Sequence, residues 1–515
     1  MSQVPPPREY TASIGTLPQA AASLQEALSL SRGEERRREV RFLDTFDWRV
    51  HRAGFRLAAT GDVLELTALD TGAVVLRASG EASGRLAEEL PAQLRAKLGA
   101  VLGLRALLPV ATLALSDITL VARNADDKIV ARLLISAVLR HAQSRPTRRG
   151  SLRIAVVPLR GYAKEGRRLS AQIADIPGVS PADTTLFEEA VAGSGRQVGD
   201  YTGKLAVDLD PRQPAEDAVG VIYRSLLATM QANEDGVSAD LDTEFLHDFR
   251  VAVRRTRSAL KELRDVLPAK AQERYRREFK WLGDITTPTR DLDVYLLTFP
   301  DFQASASASA ADLAPLHALL LREQRRTHAE LARALRSKRY GRLIEEWERL
   351  IDVEAATEGW GRAAGTPIGV LADDRIRKVG RRVFRSGAAI TADSPAEGLH
   401  DLRKRCKELR YLLEFFGGFY DPDTAEGLIG ALKGLQDNLG EFQDSAVQHH
   451  AIDGFAEALL ADGSAPAATL LALGRLGGAL EERQHRARVD FADRFAAFAE
   501  PANRQRLAAL SGAGS

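Results

Sequence analysis

His247-Asp-Phe-Arg250-Val-Ala-Val-Arg254-Arg-Thr-Arg257 and His400-Asp-Leu-Arg403-Lys-Arg-Cys-Lys407-Glu-Leu-Arg410 are two copies of one pattern, 153 residues apart. The spacing holds downstream. Lys280, Leu282, Asp284 and Asp291 recur as Lys433, Leu435, Asp437 and Asp444 at the same offset. A constant offset over two separated segments predicts a tandem duplication of a unit of about 150 residues. The halves span about 218–351 and 367–500, divided by the non-periodic stretch Asp352–Thr366. From about Ala218 the hydrophobic period is helical, and Ser305-Ala-Ser-Ala-Ser309 reads as a small-residue loop. The expected product is an all-helical domain over 218–515, made of two bundles related by a pseudo-twofold axis.

The first copy carries a basic stripe. His247, Arg250, Arg254, Arg257, Lys261 and Arg264 follow a 3-4-3-4-3 spacing and share one helix face. Phe249, Val253, Leu260, Leu263 and Leu267 take the other side. In the second copy His400, Arg403, Lys407 and Arg410 form the polar stripe, which ends at Glu414. Leu402, Cys406, Leu409, Leu413 and Phe416 form its apolar side, so Cys406 is expected to be a buried thiol. Like charges one turn apart cost a few tenths of a kcal/mol each. A stripe repeated in both halves therefore points to an anion between them. Arginine suits phosphate because its planar fork donates two parallel hydrogen bonds. Histidine can add a donor and a positive charge.

A merely solvated face is the competing reading for either stripe alone, and a helix cap or core hydrogen bond for either histidine alone. Asp248 and Asp401 fit first-turn acids complementing the helix dipole. Lys280 and Lys433 sit on the next helix of each half and could face the same space. The repeated acids fit partners of the Arg stripe, with a metal site as the minor alternative.

Composition narrows the function classes. The 515 residues call for two or three domains. With 71 Lys+Arg against 70 Asp+Glu, bulk charge cannot coat nucleic acid or membrane. Residues 1–200 hold 27 basic and 22 acidic groups and residues 201–515 hold 44 and 48, so basic clusters in the helical half are local. One cysteine excludes a disulfide framework and a thiolate metal site. Met1–Tyr10, with three prolines and no apolar core, is not expected to act as a signal peptide, and the best candidate for a membrane span, Leu107–Ala122, is interrupted by Pro109 and Asp117. The expectation is a soluble cytoplasmic protein.

Residues 1–200 read as an α+β domain dominated by antiparallel strands. Val63–Leu69 and Ser116–Arg123 alternate, and Ala73–Arg77, Ile129–Leu139 and Leu152–Leu159 are further β-rich runs. Turn residues at 60–62, 70–72, 124–127 and 145–150 separate them. Leu86–Leu98 reads as an amphipathic helix, and residues 201–217 as a linker.

The helical half resembles the CHAD family, the conserved-histidine α-helical domain. The resemblance is carried by His247-x-x-Arg250-x-x-x-Arg254-x-x-Arg257, by its echo from His400 to Arg410-Tyr411-x-x-Glu414, and by the Lys280–Asp291 and Lys433–Asp444 segments. It covers roughly residues 215–500. It implies two pseudo-symmetric bundles around a basic cleft or pore, inorganic polyphosphate as the ligand, and association with polyphosphate granules. Carried over by position, the implied binding set is His247, Arg250, Arg254, Arg257, Lys261, Lys280, His400, Arg403, Lys407, Arg410 and Lys433.

The first 200 residues resemble a degenerate CYTH domain, a triphosphate tunnel fold, through Phe42-Leu-Asp44-Thr45-Phe-Asp47 running into Ala53-Gly54-Phe-Arg-Leu57. That family opens with Glu-x-Glu-x-Lys. Here the best match is Pro7-Arg-Glu9-Tyr-Thr11, with one acid kept. A Lys is missing near Thr67, and the late acidic strand reads Ile154-Ala-Val-Val-Pro-Leu159. Without those carboxylates a tunnel cannot hold the Mg²⁺ that neutralises a triphosphate. The expectation is a non-enzymatic polyphosphate-binding protein with no cofactor, no metal and no membrane partner. The competing readings are a metal-dependent triphosphatase and a helical nucleic-acid binder. The near-neutral charge and the lack of aromatics interleaved on the stripe weigh against nucleic acid.

Overall fold

The structure is a computed structural model and describes residues 9–13, 15–141, 152–159, 161–205, 207–352 and 360–510. The turn at 145–150, Pro7 and part of the stretch between the halves lie outside the described residues. The chain forms two compact units, Met1–Gly203 and Lys204–Ser515.

The first unit is a nine-stranded sheet: β1 Glu9–Ala12, β2 Ser31–Asp44, β3 Phe55–Thr60, β4 Val63–Ala68, β5 Val74–Ser79, β6 Leu108–Arg123, β7 Ile129–His141, β8 Leu152–Pro158 and β9 Val179–Pro181. The order is β5-β4-β3-β2-β6-β7-β8-β1-β9. Every neighbouring pair is antiparallel. Five helices cover it: α1 Leu17–Ala27, α2 Arg49–Arg52, α3 Ala92–Leu102, α4 Ala163–Ala174 and α5 Leu186–Gly193.

The central strand β6 changes its buried face at Asp117. Before it, Leu113 and Leu115 pack with Phe187 and Val191 of α5. After it, Ile118 and Leu120 join Leu24 of α1 and Leu169 of α4. A third cluster sets Leu57, Leu64 and Leu66 against Leu94, Leu98 and Leu102 of α3.

The helix read over Leu86–Leu98 is corrected. A 3₁₀ turn at Ala87–Glu89 precedes α3, with Leu90 extended at ψ 153. Pro91 forces this, because it lacks an N–H and disfavours helical backbone in the residue before it. Strand β2 carried no apolar signal over its charged first half, whose first seven residues are exposed.

The second unit is helical: α6 Ala215–Ala239, α7 Thr243–Glu262, α8 Ala269–Leu297, α9 Phe299–Ser305, α10 Ala310–Leu335, α11 Lys338–Ile351, α12 Ile368–Ala388, α13 Ala396–Phe416, α14 Pro422–Ala461, α15 Ala467–Phe498 and α16 Pro501–Ala509. Shifted by 153, α6, α7 and α8 fall on α12, α13 and α14. The duplication is two-fold in space as well. Ala215 N donates to Thr366 O at 2.9 Å, and Ile368 N donates to Gln213 O at 3.0 Å. Each bond is the image of the other under the 153-residue shift, and Pro214 bridges to Pro367. Part of the segment read as a linker therefore seals the two halves, and its helix begins at Ala215.

The copies differ where the first one breaks. Pro300 lacks the N–H needed to continue the ladder, so α8 stops and α9 restarts. The second copy runs on as the 40-residue α14. The first bundle is centred on Trp347, whose ring lies 4.8, 4.6 and 5.1 Å from Tyr223, Tyr275 and Phe279. A shared cluster with Leu292, Leu320, Ile452, Leu473 and Leu476 joins the halves.

Candidate anion-binding site

Helix α7 starts where the sequence directs. Asp242 caps it, its Oδ1 accepting from Glu244 N at 2.9 Å and Phe245 N at 3.2 Å. Phe249, Val253 and Leu260 are buried, which turns the basic stripe outward. The helix ends at Glu262, so Arg264, expected on the stripe, lies beyond it. In α13, Leu402, Cys406, Leu409 and Leu413 are buried. Burial pushes the Cys406 thiol up to about 12, which makes it an inert core group.

The upper stripe residues are held by the next helix. Arg250 Nη1 donates to Thr286 Oγ1 at 2.7 Å, Thr287 Oγ1 at 3.0 Å and Gly283 O at 3.3 Å. In the second copy Thr286 and Thr287 are replaced by Leu439 and Gly440, and Arg403 instead pairs with Asp444 at 3.0 Å. His247 Nδ1 lies 3.1 Å from Arg290 Nη2. A guanidinium only donates, so Nδ1 accepts and the imidazole is held without a proton there. Burial and then the Arg290 charge lower the His247 pKa. Without a ligand these surroundings disfavour the charged form of His247. His400 Nδ1 lies 2.9 Å from Gln443 Oε1, at the position equivalent to Arg290. One pattern thus aims both Nδ1 atoms at equivalent positions but sets a donor against one and an amide oxygen against the other.

Lower on the stripes the halves converge. A cleft of about 460 Å³ is lined by Arg254, Arg257 and Lys261 of α7, Arg276, Arg277 and Lys280 of α8, and Lys404 and Lys407 of α13. Glu273 and Glu408 are its acids, and Ser258 and Tyr411 complete the wall. Lys261 is paired with Glu408, Lys280 with Asp284 at 2.6 Å, and Lys404 with Asp401 at 3.2 Å. Arg254, Arg257, Arg276 and Lys407 have no ion pair among the described residues. Burial, then Arg403 and Arg254, push the Lys407 ammonium down to about 8. Gly283 gives Arg257 room, since a Cβ there would stand 2.8 Å from Nη1.

Of the eleven residues singled out from sequence, Arg254, Arg257, Lys261, Lys280 and Lys407 line this cleft. His247, Arg250, His400, Arg403, Arg410 and Lys433 are outside its lining. Arg410 is held by Glu414 at 2.9 Å and Gln436 at 3.4 Å, and Lys433 is exposed on α14. Sequence reading missed Arg276, Arg277 and Lys404. The available signal was Glu273-x-x-Arg276-Arg277-x-x-Lys280, which puts those side chains on one face of α8. The repeated acids act as partners at two positions, Asp284 to Lys280 and Asp444 to Arg403. Among the described residues no three His, Cys, Asp or Glu side chains are grouped to hold a metal ion. No helix among them is long and apolar enough to cross a membrane.

In the sheet unit, Glu9 Oε2 accepts from Leu186 N at 2.7 Å, and its Oε1 lies 3.6 Å from Arg56 Nη1. Four strands separate β1 from β3 in the sheet order, so this contact requires a strongly curled sheet. Asp44 is buried and accepts from the N–H groups of Thr45, Val50 and His51 at 2.7–2.9 Å. Burial raises its pKa to about 6. The Asp-Thr motif is thus a turn-holding device.

Comparison with known proteins adds the family. The CHAD domain model matches residues 221–453. The chain is 27% identical over 284 residues to the uncharacterized protein Rv2226 of Mycobacterium tuberculosis strain H37Rv, covering 52% of this chain and 53% of that protein. The same figures hold for the uncharacterized protein MT2285 of strain CDC 1551. The chain thus spans about half the length of these relatives. Among solved structures, the CHAD domain from the plant Ricinus communis is 27% identical with a TM-score of 0.48, covering 57% of this chain and 94% of that one. PptA from Streptomyces chartreusis is 18% identical with a TM-score of 0.42, covering 55% and 99%. The duplicated helical unit carries a CHAD domain over residues 221–453, in one chain with an antiparallel sheet domain consistent with a CYTH-like fold.

Proposed function

We propose that the helical unit binds inorganic polyphosphate, without transforming it, in the cleft between α7, α8 and α13. One observation carries this reading: Arg254, Arg257, Arg276 and Lys407, drawn from both halves, share one cleft without a carboxylate partner. Four uncompensated cations at close range repel one another, and a chain of phosphates relieves that repulsion. The polyphosphate association of the CHAD family supports this choice of anion. An adjoining cleft of about 580 Å³ shares Lys261, Glu273 and Arg276 and adds Arg264, Arg362 and Arg382 with Glu262 and Asp265, the latter paired with Arg362 at 3.0 Å. That continuity favours a long chain over orthophosphate. Residence on polyphosphate granules would follow from such binding.

The sheet unit is proposed to be catalytically silent. Arg56 neutralises Glu9, the one acid retained from the metal-binding motif, and Thr67 faces Arg56 where the family has a Lys. Ile154 and Val156 of the late strand are buried in the apolar core.

Titration of the full chain with long-chain polyphosphate, orthophosphate and RNA at several salt concentrations tests the binding. The expected result is tight polyphosphate binding that falls steeply with salt, as it does for duplex DNA, where the slope tracks the phosphates neutralised. Equal affinity for orthophosphate, or stronger binding of RNA, would refute it. Tripolyphosphate with Mg²⁺ should release no phosphate at enzyme-like turnover. Release that disappears with residues 1–200 would show the sheet unit to be an enzyme.

A further inference from the structure

A second groove, between α12 and α16, has no role in the reading above. It measures about 520 Å³ and is lined by Arg377, Arg381, Arg385 and Arg504 around Phe384 and Leu507, with Ala388 and Ala508 at its margin. Arg377, Arg381 and Arg385 are four residues apart and share one face of α12. No carboxylate lines the groove, and none of its four arginines has an ion pair among the described residues. Arg504 lays its guanidinium 4.7 Å from the Phe384 ring, whose neighbour Phe498 stacks at 4.8 Å. Phe384 and Leu507 are buried beneath the groove, the Phe384 ring packed between Phe498 and Arg504, and the rim is cationic.

The duplication supplies an internal control. In the first half the matching groove lies between α6 and α11, about 910 Å³ in volume, and there the charge is opposite. Asp217, Glu345, Glu348 and Asp352 line it with Arg224 and Arg349. Shifted by 153, Arg377, Arg381 and Arg385 correspond to Arg224, Ala228 and Ala232. Arg224 is used in the fold, donating to Ile351 O at 2.9 Å. The scaffold thus needs one arginine here at most. The second copy has added cations and removed acids in a groove that folds without them.

We infer that this groove is a separate binding site for a nucleoside polyphosphate. The four guanidiniums would take the phosphates by paired hydrogen bonds. Arg504, backed by the Phe384 ring, offers a supported guanidinium plane on which a base would stack, a contact that a bare phosphate chain cannot make. The inference does not depend on polyphosphate binding in the first cleft.

The test is titration of the full chain with ATP and, separately, tripolyphosphate. The groove variant is Arg381→Glu with Arg385→Glu. The cleft variant is Arg254→Glu with Lys407→Glu. With the first cleft disabled, the cleft variant should bind ATP at least about tenfold tighter than tripolyphosphate, a difference of about 1.4 kcal/mol. The groove variant should lose at least about tenfold in ATP affinity and keep its binding of long-chain polyphosphate. The cleft variant should keep ATP binding. Arg381→Gln with Arg385→Gln removes charge without reversing it, and with an unchanged circular dichroism spectrum it should reproduce the ATP loss. The inference is overturned if wild type does not bind ATP, if tripolyphosphate binds the cleft variant as tightly as ATP does, or if the cleft variant rather than the groove variant loses ATP.

Discussion

Arg255 of the first half holds Glu414 of the second, with Nε at 2.9 Å and Nη2 at 2.7 Å from one carboxylate oxygen. Shifted by 153, Arg255 becomes Glu408, and Glu414 becomes Lys261 when shifted back. Lys261 does pair with Glu408. The two ion pairs are thus images of each other with acid and base exchanged. This explains why the second basic stripe ends in an acid: an exchanged pair at each symmetry-related contact holds α7 against α13 beside the cleft.

The two pairs should differ in worth. Arg255 and Glu414 are only 14% and 18% exposed, whereas Lys261 is 51% exposed. Glu414→Gln should cost about 2 kcal/mol, as expected for a hydrogen-bonded charge left without its partner. Glu408→Gln should cost less than about 1 kcal/mol. Urea unfolding of the helical unit measures both. Equal losses would contradict the burial difference.

Charge reversal at Arg254 or at Lys407 should each weaken binding of long-chain polyphosphate, and the double variant should lose less than the sum. Residues that serve one ligand in one cleft couple by about 0.5–3 kcal/mol. Two independent sites, each losing half the stoichiometry, would remove the shared cleft.

Affinity for polyphosphate should fall as pH rises through about 8. Burial and the neighbouring Arg403 and Arg254 lower the free-state Lys407 pKa to about 8. A bound polyanion favours the charged form, so binding takes up a proton, and affinity increases as pH falls from about 9 to about 7. Lys407→Arg keeps the charge over that range and should flatten the profile. Persistence of the full slope in that variant would assign it to another group.

His247 should contribute to stability instead. Its pKa is lowered by burial and Arg290, with Glu244 and Asp248 opposing and Arg254 adding to the effect. The unfolded chain therefore binds the proton more readily. The stability contributed is present above the unfolded value of about 6.5 and is lost as pH falls through the folded value. His247→Gln can still accept from Arg290 and cannot be protonated, so it should reduce the loss of stability between about pH 7 and about pH 5. Unfolding midpoints of both proteins across that range check it. The pH dependence of polyphosphate binding in this variant should match that of the wild type, because Lys407 is unchanged.

The duplication, the helical halves and the apolar faces of α7 and α13 were legible in the sequence, because helical spacing alone sets which side chains share a face of one helix. Strands β4, β5, β7, β8 and the second half of β6 were legible too, since turn residues and alternation are local signals, whereas the short β1 and β9 gave no period to read. Strand β2 was hidden because seven charged or small residues at its start carry no apolar period. Tertiary structure alone decided which members of each stripe meet. Arg254 and Lys407 face one cleft, while Arg250 is held by Thr286 and Thr287 and Arg403 by Asp444. Those outcomes depend on side chains of the next helix, whose rotation about its axis no spacing within α7 or α13 encodes. The same holds for His247, whose partner Arg290 lies 43 residues away and turns a candidate cation into an acceptor.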